Sequence, residues 1–258
     1  TTLSMCFAGS TLEVLAAETS VSGVSTVSNM QSDFARGVDI SEVIALESSG
    51  ITYKYLDGTS GDIFDILAGA GVNYVRIRIW NNPYDSSSPY KGYGAGNCDL
   101  YNAKVLGKRA TDAGMKVFID FHYSDFWADP GKQKAPKAWA NMTIEEKVYA
   151  VNAYTKDSIN TLLSKNVDVQ MVQIGNETTS GIAGEYTWTN MAKIFNAGSS
   201  AIREINSEKS KQIKVALHFT NPEKSGKYAE ISKNLWLFRG DGGLKIPSTP
   251  VFIRLSDI

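Results

Sequence analysis

Apolar and polar positions along the chain fall into two alternating rhythms. Five short runs are apolar almost throughout and read as buried strands: GVDI (37–40), NYVRIRIW (73–80), MKVFIDFHY (115–123), DVQMVQI (168–174) and IKVALHF (213–219). Between them apolar residues recur at helical spacing. SGDIFDILAGAG (60–71) sets Ile63, Ile66 and Leu67 on one face and closes with Gly69 and Gly71. DLYNAKVLGKRATDAG (99–114) closes with Gly114, and a T-x-x-E capping box at Thr143 and Glu146 opens a helix that runs to about Lys165. TWTNMAKIFNAGSSAIREI and PEKSGKYAEISKNL give two more helices. Strands and helices therefore alternate one for one, with strands roughly 40 to 50 residues apart, which predicts right-handed β–α–β crossovers and a parallel sheet.

The strands turn polar only at their C-terminal ends, at Asp39, Arg76 and Arg78, Asp120 and His122, Asn176 and Glu177, and His218. The long loops, NNPYDSSSPYKGYGAGNC and SDFWADPGKQKAPKAW, follow strands rather than helices. Polar residues gathered where successive parallel strands end are the active face of a (β/α)₈ TIM barrel, and that α/β fold is the expectation. A doubly wound sheet would show similar alternation, but more often carries a Gly-rich phosphate loop after its first strand, and GVDIS is not one.

Composition narrows the function. A chain of 258 residues, 43% hydrophobic and 21% charged, is of soluble globular type. A formal net charge of −1 gives no electrostatic case for nucleic acid or an anionic membrane, and no apolar run approaches the roughly 20 residues of a membrane-spanning helix. Two cysteines, Cys6 and Cys98, make no disulfide framework, and two histidines, His122 and His218, argue against a zinc or di-metal site, so no metal or cofactor is expected. Five Trp and twelve Tyr, mostly in loop-like segments, suit either sugar-stacking platforms or a large core. TTLSMCFAGSTLEVLAAETS reads as the tail of a secretory signal with a small-residue site near Ala16-Ala17, although Glu13 interrupts it and an uncleaved tail is the alternative. TSVSGVSTVSNMQS reads as a Ser/Thr-rich linker. The expected organisation is a signal remnant and linker over 1–33, a catalytic domain over 34–235 and an atypical tail over 236–258.

Among the polar strand ends, Asn176-Glu177 stands out. A carboxylic acid in a partly desolvated cleft can protonate a leaving oxygen, and the neighbouring amide can hold a hydroxyl; the alternative is a capping or ion-paired Glu177. Arg76 and Arg78 alternate with Val75, Ile77 and Ile79 and so share one face. They either keep a carboxylate ionised or form structural ion pairs with Asp39 or Asp120. His122 is read as a hydrogen-bonding residue, to a substrate hydroxyl or to a carboxylate that it orients, and Trp127 and Trp139 either as sugar platforms or as a lid over the barrel edge.

Taken together, GVDIS, GVNYVRIRIWNNP, AGMKVFIDFHYSDFWADPGKQKAP and VQIGNET resemble glycoside hydrolase family 53, the endo-β-1,4-galactanases, over about Arg36 to Leu235. The resemblance implies a secreted, monomeric (β/α)₈ barrel with a retaining two-carboxylate mechanism acting on β-1,4-galactan side chains of pectin. On it, Glu177 matches the acid/base, Asn176 the Asn before it, and Arg76 and His122 active-site residues; Asp39, Arg78, Trp127 and His218 join them as substrate-binding candidates. It implies calcium only in a region of bacterial members that has no match here. The retaining partner of Glu177 is a second Glu near the end of strand seven, and WLFRGDGGLKIPSTPVFIRLSDI offers no counterpart. The expectation is therefore about the first five β/α units, no nucleophile, and impaired hydrolysis. The alternatives are a non-catalytic sugar-binding remnant and a related barrel glycosidase of different specificity.

Overall fold

The computed structural model describes residues 29–31, 33–85, 88–92, 98–221 and 226–237. The signal and linker expected over 1–33 and the tail expected over 236–258 fall almost wholly outside the described residues. The chain up to Phe34 is one unit and Ala35 onward forms a second, compact one.

The second unit is built on one five-stranded sheet. In chain order its elements are β1 (Gly37–Asp39), α1 (Val43–Ser48), β2 (Tyr53–Lys54), β3 (Ser60–Gly61), α2 (Ile63–Gly69), β4 (Tyr74–Ile79), β5 (Tyr84–Asp85), β6 (Ser88–Gly92), α3 (Leu100–Asp112), β7 (Lys116–Phe121), α4 (Ile144–Ser164), β8 (Val169–Ile174), α5 (Trp188–Lys209), β9 (Lys214–Ala216) and α6 (Lys227–Leu237). The sheet runs β1-β4-β7-β8-β9, strictly in sequence order, and every pairing within it is parallel. All five expected strands are present. A parallel sheet in sequence order with a helical return after each strand is a wall of a (β/α)₈ barrel.

Two parts of the expected pattern change. The link from β1 to β4 holds a second helix, α1, and the antiparallel β2–β3 pair, not a single helix. The turn that joins β2 to β3 contains Asp57-Gly58: Gly58 sits at φ +87, and the Asp57 carboxylate accepts from the Thr59 amide at 2.9 Å. The segment read as loop after β4 contains the antiparallel β5–β6 pair. Its Ser, Pro and Gly signal turns well but do not exclude short ribbon strands between them.

Helix starts follow their caps. Asp62 accepts from the Phe64 amide at α2, Asp99 from Asn102 at α3, and Thr187 from Asn190 at α5. Thr143 and Glu146 form the full capping box of α4.

The period of two along the strands divides the sheet into unlike faces. Val75, Ile77 and Ile79, Val117, Ile119 and Phe121, and Val172 and Ile174 join the helices in one large core. Each such buried side chain contributes about 1.5–3 kcal/mol. Helix α5 lies close to that face because Gly198 has no side chain: a Cβ there would meet Ile174 Cγ2 at 2.8 Å and Tyr123 Oη at 2.8 Å. The opposite face begins with a small apolar cluster, Tyr74, Phe118, Met171 and Ala216. One step further along each strand it turns polar, at Asp39, Arg76, Asp120 and Gln173.

Candidate active site

The polar layer is centred on Arg76. Register places Asp39 beside Arg76, Arg78 beside Asp120, and Asp120 beside Gln173. The Arg76 guanidinium donates to Asp39 Oδ2 at 3.1 Å, to Asp120 Oδ2 at 2.6 Å and to Asn176 Oδ1 at 2.9 Å. Asp120 is fully buried and also accepts from Gln173 Nε2 and His122 Nε2. Burial alone would raise the Asp120 pKa; the charge of Arg76, with His122 and His218, outweighs burial and holds it below the ordinary carboxylate value. Asp39 is held from its other side by Ser41, whose amide and hydroxyl donate to Oδ1.

From this centre the contacts close into a ring. His122 Nδ1 accepts from the Ala128 amide at 3.0 Å, so the ring proton lies on Nε2 and points at Asp120. The Ala128 carbonyl accepts from Asn176 Nδ2 at 2.8 Å, and Asn176 Oδ1 returns to Arg76. His218 Nδ1 lies 2.8 Å from Asn176 Oδ1 and also faces the Glu177 amide at 3.3 Å. The His218 pKa falls to about 4, driven by burial, opposed by Asp120 and lowered further by Arg76 and His122. His218 is thus neutral at neutral pH.

Glu177 follows this frame with a half-buried side chain. Its backbone is left-handed at φ +49, unusual for a residue with a Cβ, and Gly175 just before it has φ +84. A Cβ at Gly175 would meet Thr178 Cγ2 at 2.5 Å and Ile182 Cδ1 at 2.6 Å, so this turn requires glycine. Beyond it, the amide and hydroxyl of Thr178 both donate to the His218 carbonyl at 2.8 Å, tying the end of β8 to the segment after β9. Gln133 Nε2 donates to the carbonyls of Asn176, Glu177 and Asp129.

The sequence-predicted residues thus separate into groups. Asp39, Arg76, His122, Asn176 and His218 meet in one network, with Glu177 at its edge. Asn176 was expected to hold a substrate hydroxyl, and both its side-chain atoms are engaged within the protein. Of the two readings of His122, a bond to a substrate hydroxyl or the orienting of a carboxylate, the contact with Asp120 fits the second. For Arg76 the ion-pair reading holds, to Asp39 and to Asp120 together. Arg78 pairs instead with Glu42 at 2.9 Å, and its guanidinium carbon lies 4.5 Å from the centre of the Trp127 ring. Trp127 is half-buried, whereas Trp139 is buried in the core between Tyr123 and Tyr154, a packing role rather than a platform. Sequence reasoning missed Gln173, although a glutamine at an inward position of an otherwise apolar strand marks it, and it missed Gln133 and Ala128. Among the described residues no group of three or more His, Cys, Asp and Glu is placed to hold a metal ion, and no helix is long and apolar enough to cross a membrane.

Comparison with known proteins bears on this arrangement directly. The sequence profile of Glycosyl hydrolase family 53 matches residues 35–239. The chain is 56% identical over 212 residues to the endo-beta-1,4-galactanase of Bacillus subtilis (strain 168), which covers 82% of this chain and 48% of that protein. Among solved structures, the family 53 catalytic domain of Ignisphaera aggregans superposes with a TM-score of 0.77 at 37% identity, over 83% of this chain and 59% of that one. A fungal beta-1,4-galactanase gives 0.66 at 32% identity, over 77% and 57%. The chain spans about half the length of the curated relatives it matches.

Proposed function

The chain belongs to glycosyl hydrolase family 53, and from that premise we propose that it carries the acid/base side of an endo-β-1,4-galactanase active site. The observation that carries the reading is Glu177, half-buried in a left-handed turn at the end of β8 and directly after an asparagine locked to Arg76, Ala128 and His218. In this reading the Glu177 carboxyl protonates the glycosidic oxygen as the bond breaks, then as carboxylate takes a proton from the water that releases the sugar. Arg76 pairs with both Asp39 and Asp120 and keeps the buried Asp120 ionised, so neither is assigned the nucleophile's role. That role needs a second carboxylate about 5 Å from Glu177, and no described residue is assigned to it. Trp127, braced by Arg78, is assigned to stack on a sugar ring. The proposed setting is extracellular, with galactan side chains of pectin as substrate, the chain acting as a monomer without nucleic-acid or membrane partners.

The test is reducing-sugar release from β-1,4-galactan by the 258-residue chain and by Glu177→Gln, with calorimetric binding of galacto-oligosaccharides to both. Losing a general acid lowers turnover about 10²–10⁴-fold while leaving oligosaccharide affinity nearly unchanged. A rate indifferent to the substitution overturns the assignment. Binding in both proteins with turnover in neither supports the sugar-binding reading instead.

A further inference from the structure

We propose that Gln133 is the positioning residue of Glu177, one side-chain amide that fixes the backbone on both sides of the acid/base. The proposal deepens the reading of Glu177 as acid/base and rests on it for its catalytic consequence, though not for its structural one. The Asn176 carbonyl belongs to the peptide unit before the Glu177 Cα, and the Glu177 carbonyl to the unit after it. Gln133 Nε2 donates to the first at 2.8 Å and to the second at 3.2 Å. The only free rotations between these two units are φ and ψ of Glu177. Holding both carbonyls on one nitrogen therefore sets those two angles, and with them the direction in which the Glu177 side chain leaves the backbone. The angles need holding, because a left-handed residue with a Cβ costs about 1 kcal/mol or more and persists only where its surroundings over-determine it.

The clamp is itself anchored. Gln133 is 2% exposed. Its Nε2 also donates to the Asp129 carbonyl at 3.0 Å, and its own carbonyl accepts from the Gly184 amide at 2.7 Å. The Gly184 stretch is held in turn by Glu185, which pairs with the buried Lys147 at 2.6 Å. The Gln133 amide can face only one way, since exchanging its atoms would turn an oxygen toward three carbonyl oxygens. Its Oε1 is buried and meets no donor among the described residues. The side chain therefore acts through its NH₂ group alone, which distinguishes a clamp on carbonyls from a residue placed for general packing.

The variant Gln133→Met keeps the volume and removes both donors. Amide hydrogen exchange, read residue by residue, should speed at Glu177 and Thr178 by about tenfold, the effect of losing one or two ordinary hydrogen bonds, while β4 and β7 keep their protection. This arm needs no turnover. Unchanged exchange at Glu177 and Thr178, or equal acceleration across the sheet, overturns the clamp. Should Gln133→Met not fold, the wild-type protein decides: the Gln133 side-chain amide protons should exchange far more slowly than those of exposed Gln212, and equal rates overturn the proposal. The catalytic arm compares β-1,4-galactan with an aryl galactobioside whose leaving group needs no protonation. A misaimed acid lowers kcat/KM on galactan about 10- to 100-fold and on the activated substrate much less, whereas equal losses on both overturn positioning. The Glu177→Gln control keeps the two readings apart. If it leaves galactan hydrolysis untouched the acid/base assignment fails, while the exchange result still decides whether Gln133 holds the turn.

Discussion

Two arginines of this molecule do the same formal job in different surroundings. Arg109, on the outer helical layer, grips Glu47 with two parallel bonds of 2.8 Å, reaches Asp62 at 2.9 Å and stacks its guanidinium carbon 4.5 Å from the centre of the Phe64 ring, so it staples α1, α2 and α3 together. Arg76, on the inner face of the sheet, grips Asp39 and Asp120 and adds Asn176. The Arg109 side chain is 27% exposed and its carboxylate partners 33% and 43%, against 11% for Arg76 and 0% for Asp120. Water already solvates the outer cluster, so its ion pairs add little. In the inner cluster Asp39 still reaches water, but Arg76 and Asp120 depend on their neighbours for the solvation that burial removed. The lesson is that the inner network is a poor staple and a good frame: it gains little net stability when complete, and no member can be removed or moved without stranding another.

The sharpest way to break this comparison is Arg76→Met. It should cost about 3–5 kcal/mol in urea unfolding, because it leaves the Asp120 carboxylate buried without its counter-charge. A loss below about 1 kcal/mol would place Arg76 with ordinary surface pairs and dissolve the contrast. The second test uses acid. His218 is held neutral with its pKa near 4. Between the unfolded value near 6.5 and that value, the unfolded chain binds a proton that the folded chain refuses. Stability is therefore full above about pH 6.5 and falls by about 3 kcal/mol as pH drops toward 4. Melting temperatures across that window should fall steeply for the wild type and less for His218→Gln; parallel slopes would count against a buried neutral His218. The smallest effect belongs to the outer cluster. Arg109→Met should cost about 1 kcal/mol, and a double-mutant cycle with Glu47→Gln should give a coupling of about 0.5 kcal/mol that shrinks in high salt.

The same contrast explains what the sequence reveals. The apolar runs and their spacing locate all five sheet strands, most firmly β4, β7 and β8, which are buried on both faces and have little freedom to be anything else, while the outer strands β1 and β9 are short and partly exposed. Helix α1 escapes, since VIALES is six residues long and its N-cap, Glu42, makes no side-chain capping bond. The Asp57-Gly58 turn was a usable mark of the β2–β3 pair. In the site, Arg76, Asn176 and Glu177 are legible as charged or polar groups ending apolar strands. The partners of His122 and His218 are not: a histidine announces that it can donate, accept and titrate, not which of its nitrogens the fold will occupy. Gln133 and Ala128 are less visible still. Gln133 donates to backbone carbonyls and Ala128 bonds through its own amide and carbonyl, main-chain groups that no residue letter records.

The polar ring also bears on the order in which the molecule assembles. Arg76 and Asp39 are 37 positions apart in the chain, Arg76 and Asp120 are 44 apart, and Arg76 and Asn176 are 100 apart. Neighbouring β/α units can zip together through short loop closures, each rewarded at once by apolar contact. The ring cannot close until the fourth sheet strand, β8, has docked on the third, β7, and until then its charges are better served by water. Its contacts should therefore be missing from the rate-limiting barrier to folding. Deleting Arg76 should leave the refolding rate nearly unchanged and place its destabilisation on the unfolding limb of a chevron plot. On that account the site acts as a latch on escape rather than a guide to entry: the residues assigned to the chemistry also set how long the folded molecule lasts.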